Sequence, residues 1–330
     1  MCGVLLIFSK KKKLNEKICN SANEYIKSRG PDIFLENYFL DNRLYISNSI
    51  LSIVGSINSK KKLFESKNKN FSIAFNGELY NWKEIKNSNK NLQYCKNDTE
   101  LLVNMHEELN PINVAKKIDG MFAYCTYNKK KREIYFASDV QGEKKLFYYN
   151  DSNYLIISST ISSILSFLNK KDLNLNSINS YFVTRHYLFF DDTCYNNIKI
   201  IKPGNAYTFN LDNDTLIKKD FDDPLLWISQ KKMRYFEKMK EMDLVEYFEN
   251  LLLDQLKKMI PDTKFGSIFS GGIDSSLQTV LLSKIKNPNE IITLNHVGKD
   301  EITKNIIKFQ KFIKNKIKVL DINKNDYIND

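Results

Sequence analysis

Two short stretches of this 330-residue chain carry residue types that could do chemistry. The first is the N-terminal "MCGVLLIF". If Met1 is removed, Cys2 presents a thiol and a free α-amine on one residue, a pairing suited to nucleophilic attack. The same octapeptide also reads as the start of a buried strand, Val4 to Phe8. The second stretch is "FSGGIDSS" at 269–276. There a strand ends at Phe269, Gly271 and Gly272 let the backbone fold tightly, and a helix begins near Ile273. The free N–H groups and positive dipole of that helix start suit an anion such as pyrophosphate. Ser270, Ser275 and Ser276 add hydroxyl donors. Asp274 cannot face phosphate by itself, so Mg²⁺ bridging its carboxylate to phosphate is its expected role. The loop lacks the G-x-x-x-x-G-K-[ST] pattern of P-loop enzymes.

Composition limits what can surround these stretches. The length suggests roughly two domains, and 42% hydrophobic with 12% aromatic residues fits a globular protein. No stretch approaches the ~20 apolar residues of a membrane span, and "VLLIF" lacks the basic flank of a signal peptide. A cytoplasmic protein with no membrane association is expected. Five cysteines, Cys2, Cys19, Cys95, Cys125 and Cys194, are scattered without a C-x-x-C pair, so neither a zinc site nor a disulfide framework is indicated. The net charge of +11 comes from lysines spread along the whole chain. Arg, the residue favoured for clamping phosphate, is scarce, and no nucleic-acid partner is expected.

The elements that must position the two stretches differ in kind. Before about residue 210 the chain reads as short strands: "CGVLLIF", "RLYISNSILSIVG", "FSIAFNGELYN", "GMFAYCTYN", "REIYFASD", "KLFYYN" and "YLIISS". Helices interrupt them near 14–28 and at "DTELLVNMHEEL", whose apolar positions fall at 101, 102, 105 and 109. Such a pattern predicts stacked antiparallel sheets with helices on their outer faces. Residues 211–240 mix turn residues with charge and read as a linker. From 241 strands and helices alternate, which predicts a parallel sheet with crossovers.

The loop at 269–276 resembles the SGGxDS pattern of the PP-loop ATP pyrophosphatases, which split ATP between the α and β phosphates. Cys2-Gly3, "SRGPD" at 28–32, "LSIV" at 51–54, "FNGELYN" at 75–81, "NDTELL" at 97–102, "DGMFAY" at 119–124 and "GEKKLFYY" at 142–149 follow in the order of a class II glutamine amidotransferase domain. Together they resemble the glutamine-hydrolysing asparagine synthetase family. The resemblance implies an α+β N-terminal domain of Ntn type over 1–210, its stacked antiparallel sheets flanked by helices. A linker at 211–240 and an incomplete α/β PP-loop domain over 241–330 would follow.

It also implies roles. Cys2 would attack the side-chain amide of glutamine, its own amine taking the proton, since the two groups titrate near 8.5 and about 8. Asn76 and the Gly77 N–H would hold the oxyanion. Glu78 and Asp98 would hold the substrate's α-amine, with Leu51, Ser52, Ile53 and Val54 lining the pocket. On spacing alone, Asn76-Gly77 reads equally as a hairpin turn. Phe269, Ser270, Gly271, Gly272, Asp274, Ser275 and Ser276 would bind the pyrophosphate end of ATP, with Asp274 on Mg²⁺. Ammonia would then reach an adenylated carboxylate, aspartate by family default.

The chain departs from the family pattern at Ile50, where an Arg normally grips the glutamine α-carboxylate; Arg43 or a nearby Lys is available to replace it. Ser28 and Ser138 replace a usual His and Arg. His106, His186 and His296 are given no catalytic role, though His296 falls near the family's adenine pocket. The parallel sheet is expected to have three strands, leaving "FGSIF" at an edge. Three alternatives follow: the sequence is a fragment, another chain (a second copy in a homodimer or a partner chain) completes that sheet, or the synthetase half is inactive. Two further readings are a stand-alone glutaminase that donates ammonia, and a binding protein with neither activity.

Overall fold

The apolar run after Cys2 becomes β1 (Gly3–Ser9), with all seven residues buried. A strand buried on both faces needs a layer on each side. Val4, Leu6 and Phe8 point to one, Leu5 and Ile7 to the other. The computed structural model describes residues 1–52, 62–186, 191–261, 263–296 and 301–322. It divides into two compact units, Met1–Ile228 and Ser229–Asp330.

The front unit continues with α1 (Glu16–Lys27), β2 (Ile33–Phe39), β3 (Leu44–Ile50), β4 (Phe64–Glu65) and β5 (Phe71–Leu79). Next come α2 (Trp82–Ser88), α3 (Asp98–Glu108), α4 (Pro111–Lys117), β6 (Gly120–Asn128) and β7 (Glu133–Ser138). Then β8 (Phe147–Asn150), β9 (Tyr154–Ser158), α5 (Ile161–Leu168) and α6 (Leu175–Thr184) follow. The unit closes with β10 (Ile198–Ile200), β11 (Asn205–Asn210) and β12 (Leu216–Asp220).

These strands form two six-stranded sheets, ordered β10-β8-β9-β1-β3-β2 and β12-β11-β7-β6-β5-β4. The pairings in both are antiparallel. Val4, Leu6 and Phe8 meet Ala123, Cys125, Phe136 and Phe209 between the sheets. Leu5 and Ile7 pack under α1 and α5, against Cys19, Ala22, Ile26 and Ile164. On the far side Ile73, Phe75 and Tyr124 pack under Leu101, Leu102 and Met105 of α3. The front unit is thus helix, sheet, sheet, helix, as its strand pattern predicts. Each large inward side chain of β1 contributes about 1.5–3 kcal/mol by burial. That holds down an N-terminus of the kind that usually frays.

The segment expected as a linker, 211–240, divides differently. Leu216–Asp220 pairs with β11 as an edge strand, and the two units part between Ile228 and Ser229. The outward Lys218 and Lys219 of β12 are exposed. Charges of this kind protect an edge from unwanted pairing, and they disguise the strand as linker. Edge strand β2 and the short β10 and β11 also fall outside the strands that the sequence pattern predicts. Asn76 and Gly77 lie within β5, opposite Ala123 and Phe122, so the hairpin alternative fails.

The rear unit contains α7 (Gln230–Glu237), α8 (Glu241–Met259), β13 (Gly266–Ile268), α9 (Ile273–Ile285), β14 (Glu290–His296), α10 (Glu301–Gln310) and β15 (Ile317–Ile322). The three strands pair in parallel in the order β13-β14-β15. Phe269, Ile291, Ile313 and Ile317 make its small core. Ser267 and Thr279 share a buried hydroxyl hydrogen bond of 2.8 Å between β13 and α9. Ile268, on the other face, is 76% exposed. Among the described residues, no helix is long and apolar enough to cross a membrane.

Candidate active site

Cys2 sits just before β1, and the neighbours of β1 in both sheets converge on it. Its backbone N–H donates to Asn76 Oδ1 at 3.0 Å. The Leu51 N–H, just past β3, points at Cys2 Sγ from 3.4 Å, and Arg29 Nε donates to the Cys2 carbonyl at 3.0 Å. Asn48 joins the layers. Its Nδ2 donates to the Gly3 carbonyl at 2.8 Å and the Phe75 carbonyl at 3.1 Å, while its Oδ1 accepts from the Phe75 N–H. One buried amide thereby fixes Cys2's strand against the strand that carries Asn76.

Asn76 is 1% exposed, and only half of its amide is satisfied. Oδ1 takes the Cys2 N–H, whereas Nδ2 is buried with no partner among the described residues. An unsatisfied buried donor costs about 1–3 kcal/mol, and such groups in a native fold call for a reason, often a catalytic one. Next to it, a Cβ on Gly77 would lie 2.2 Å from the Met121 carbonyl oxygen. Only glycine lets β5 and β6 approach this closely.

A cavity of about 190 Å³ opens at the thiol, below the roughly 300–1,000 Å³ of drug-sized sites. Its lining includes Cys2, Ile50, Asn76, Glu78, Asp98 and Lys144. Asn97 caps α3 and so holds Asp98 in its first turn. The Asp98 carboxylate accepts from Leu79 N at 3.2 Å and from Thr99 N at 2.7 Å. Burial nevertheless pushes it up to about 6, and the nearby Glu78 charge adds to the rise. Burial also raises the Cys2 thiol; the Leu51 backbone hydrogen bond and the charges of the N-terminus and Lys144 act the other way.

Of the residues expected here, Cys2, Leu51, Ser52, Asn76, Gly77, Glu78 and Asp98 all line this cavity. Ile53 and Val54 lie outside the described residues. Arg43 is at the opposite end of β3, bonded to the Lys10 carbonyl at 3.1 Å, and does not line the cavity. Sequence reasoning missed Asn48 and Lys144. The signal for Asn48 is its polar side chain in the otherwise closely packed "LYISNSI". Lys144 lies within a motif noted only for its order. His106 is packed against Phe71 and Tyr135 at 5.7 and 5.8 Å between centroids, and burial pushes its pKa down to about 3.

The second stretch forms one loop. Phe269 is buried beneath it, and Gly271 adopts φ +77°, a left-handed value that favours glycine. Gly272 starts α9 with no side-chain cap, which leaves the helix N-terminus to other partners. The Ser270 and Ser275 hydroxyls lie 2.8 Å apart. Ser276 Oγ is buried and unpartnered among the described residues. Asp274 is exposed in the first turn. No group of three or more His, Cys, Asp or Glu residues is arranged to hold a metal among the described residues. An uncapped helix start beside the Ser270 and Ser275 hydroxyls has the donor chemistry that suits a phosphate, and Mg²⁺ commonly uses one carboxylate plus substrate phosphates.

Residues 1–221 match the glutamine amidotransferase domain family, and the chain belongs to that family. Among curated relatives, it is 28% identical over 285 residues to asparagine synthetase (glutamine-hydrolyzing) 1 of Bacillus subtilis, covering 84% of this chain and 43% of that protein. It is 23% identical to asparagine synthetase (glutamine-hydrolyzing) of Bos taurus, covering 86% of this chain and 48% of the relative. The chain thus spans about half the length of these relatives. Among solved structures, a glutamine phosphoribosylpyrophosphate amidotransferase from B. subtilis, complexed with ADP and GMP, aligns with a TM-score of 0.49 at 13% identity. That alignment covers 97% of this chain and 81% of the other.

Proposed function

We propose that the chain is a glutamine-dependent amidotransferase of the asparagine synthetase type. Cys2 releases ammonia from glutamine, and the ammonia goes to a carboxylate activated by ATP, with aspartate the first acceptor to test. The observation that carries the reading is the buried, unpartnered Asn76 Nδ2 beside the Cys2 thiol.

Removal of Met1 turns the Cys2 nitrogen into an amine held by Asn76 Oδ1. With a pKa of about 8 the amine can accept the thiol proton. This matters because burial raises the thiol. The sulfur attacks the side-chain carbonyl carbon of glutamine, and the carbonyl electron pair moves onto oxygen. Asn76 Nδ2 and the Gly77 N–H stabilise that oxyanion; one such donor is worth about 10²–10³ in kcat. Collapse breaks the C–N bond as the α-ammonium returns its proton, so ammonia leaves. Water then cleaves the thioester, yielding glutamate and restoring the thiol. Glu78 and Asp98 hold the substrate ammonium, with Leu51 and Ser52 along the wall.

In the rear unit, Phe269, Ser270, Gly271, Gly272, Ser275 and Ser276 would hold the pyrophosphate end of ATP, and Asp274 would hold Mg²⁺, which would neutralise phosphate charge. Bound there, ATP would supply the chemistry that activates the acceptor carboxylate as an adenylate. The uncapped start of α9 and the orphaned Ser276 hydroxyl support this assignment. A second reading, an ammonia donor to a partner chain that completes the rear sheet, is favoured by the bare Ile268 face.

The test is glutamate release from glutamine by the wild type and by Cys2→Ala, with pyrophosphate release measured in the presence of ATP, Mg²⁺ and aspartate. The variant should lose glutamate release by at least about 10³-fold. Full activity in Cys2→Ala overturns the reading. Glutamate release without aspartate-dependent pyrophosphate selects the ammonia donor.

A further inference from the structure

Among the described residues, the front cavity is lined by two carboxylates, Glu78 and Asp98, and by one cationic side chain, Lys144. An α-amino acid carries its ammonium and carboxylate on the same carbon. A pocket that receives the ammonium with acidic groups must therefore meet a carboxylate close by. A carboxylate left without a cation or donors there loses its hydration uncompensated. Ile50 lines the cavity and offers it no charge.

We propose that Lys144 binds the α-carboxylate of the amino acid in this cavity and thereby selects free α-amino acids over carboxyl-blocked ones. Two features beyond its charge support the role. Lys144 is half-buried, and no ion pair engages its ammonium among the described residues. Its backbone is also held in place. The Asp139 carboxylate, itself 3% exposed, accepts the N–H groups of Phe122, Gln141, Glu143 and Lys144 at 2.9–3.1 Å. That ties the loop bearing Lys144 to β6, which pairs with the strand carrying Asn76 and Glu78. An ammonium on a fixed base, in one cavity with two carboxylates, offers an opposite charge to each end of a zwitterion.

This proposal rests on the glutamine reading above, and its test separates the two. Calorimetry on full-length Cys2→Ala measures binding of L-glutamine and of L-glutaminamide, whose α-carboxylate is replaced by a neutral amide. The Cys2→Ala background removes any effect of Lys144 on the thiol. Adding Lys144→Met, which keeps the aliphatic stem and the backbone N–H, should weaken L-glutamine about 10- to 100-fold, as loss of a charge-assisted hydrogen bond does. L-Glutaminamide should already bind weakly and change less than about 3-fold, and Lys144→Arg should restore most of the L-glutamine affinity. Unchanged L-glutamine binding in Lys144→Met overturns the proposal and leaves the glutamine reading standing. Equal weakening of both ligands also overturns it, in favour of a packing role. No L-glutamine binding by Cys2→Ala itself overturns both.

Discussion

The two units solve the problem of presenting polar groups in opposite ways. In the front unit a donor is buried inside a strand and withheld from every backbone partner. Asn76 Nδ2 has no partner among the described residues, on a β5 clamped between the other sheet and α3, with Asn48 tying the two sheets together. In the rear unit the donors belong to a loop and a helix start, on a sheet of three described strands whose Ile268 faces outward. The first arrangement stores unsatisfied bonding in a rigid core. The second relies on backbone N–H groups that any helix N-terminus leaves free. Preorganisation in the front unit should make its residues far less replaceable than those of the rear.

The sharpest way to break that contrast is Asn76→Ala, expected to lower glutaminase kcat about 10²–10³-fold with little change in KM. A drop confined to KM would make Asn76 a binding group instead. Gly77→Ala should cost stability on the order of 1–3 kcal/mol, since its Cβ meets backbone that cannot move independently. A chemical denaturation series reads this, and an unchanged midpoint would show that β5 and β6 can relax.

Asp98→Asn separates stability from binding. The folded carboxyl sits near 6, above its ordinary 3.8, so the wild type loses stability as pH rises from about 4 through 6. The variant should melt higher than wild type at pH 8, with the gain vanishing below about pH 4, while its glutamine KM worsens. A variant that is less stable at pH 8 would mean that the carboxylate's two backbone hydrogen bonds outweigh its burial. The smallest effect is expected in the rear loop. Ser276→Ala should weaken inorganic pyrophosphate binding about 3- to 10-fold and leave glutaminase activity unchanged. A loss as large as that of Asn76→Ala would put the two units on equal footing.

Legibility in the sequence followed burial and locality. The strands β1, β5, β6, β7, β8 and β9, the capped helix α3 and the loop before α9 all announced themselves, because each is specified by its own apolar period, cap or glycines. Edge strand β12 did not, because charges that protect an edge look like linker, and neither did edge strand β2. At the site, Cys2, Asn76, Gly77, Glu78 and Asp98 could be picked out as residues, but Asn48 and Lys144 could not.

The sequence alone determined which groups are available: a thiol at position 2, an Asn-Gly pair, a capped acidic helix start and a glycine-serine loop. Local chemistry decides these, and local chemistry is written in consecutive residues. Tertiary structure decided that Asn76 is in a strand and not a turn, that one face of its amide is left unpaired, and that Lys144 and not Arg43 shares the cavity with Cys2. Those outcomes depend on how two sheets stack and which backbone groups are already taken, and no short stretch of sequence encodes either.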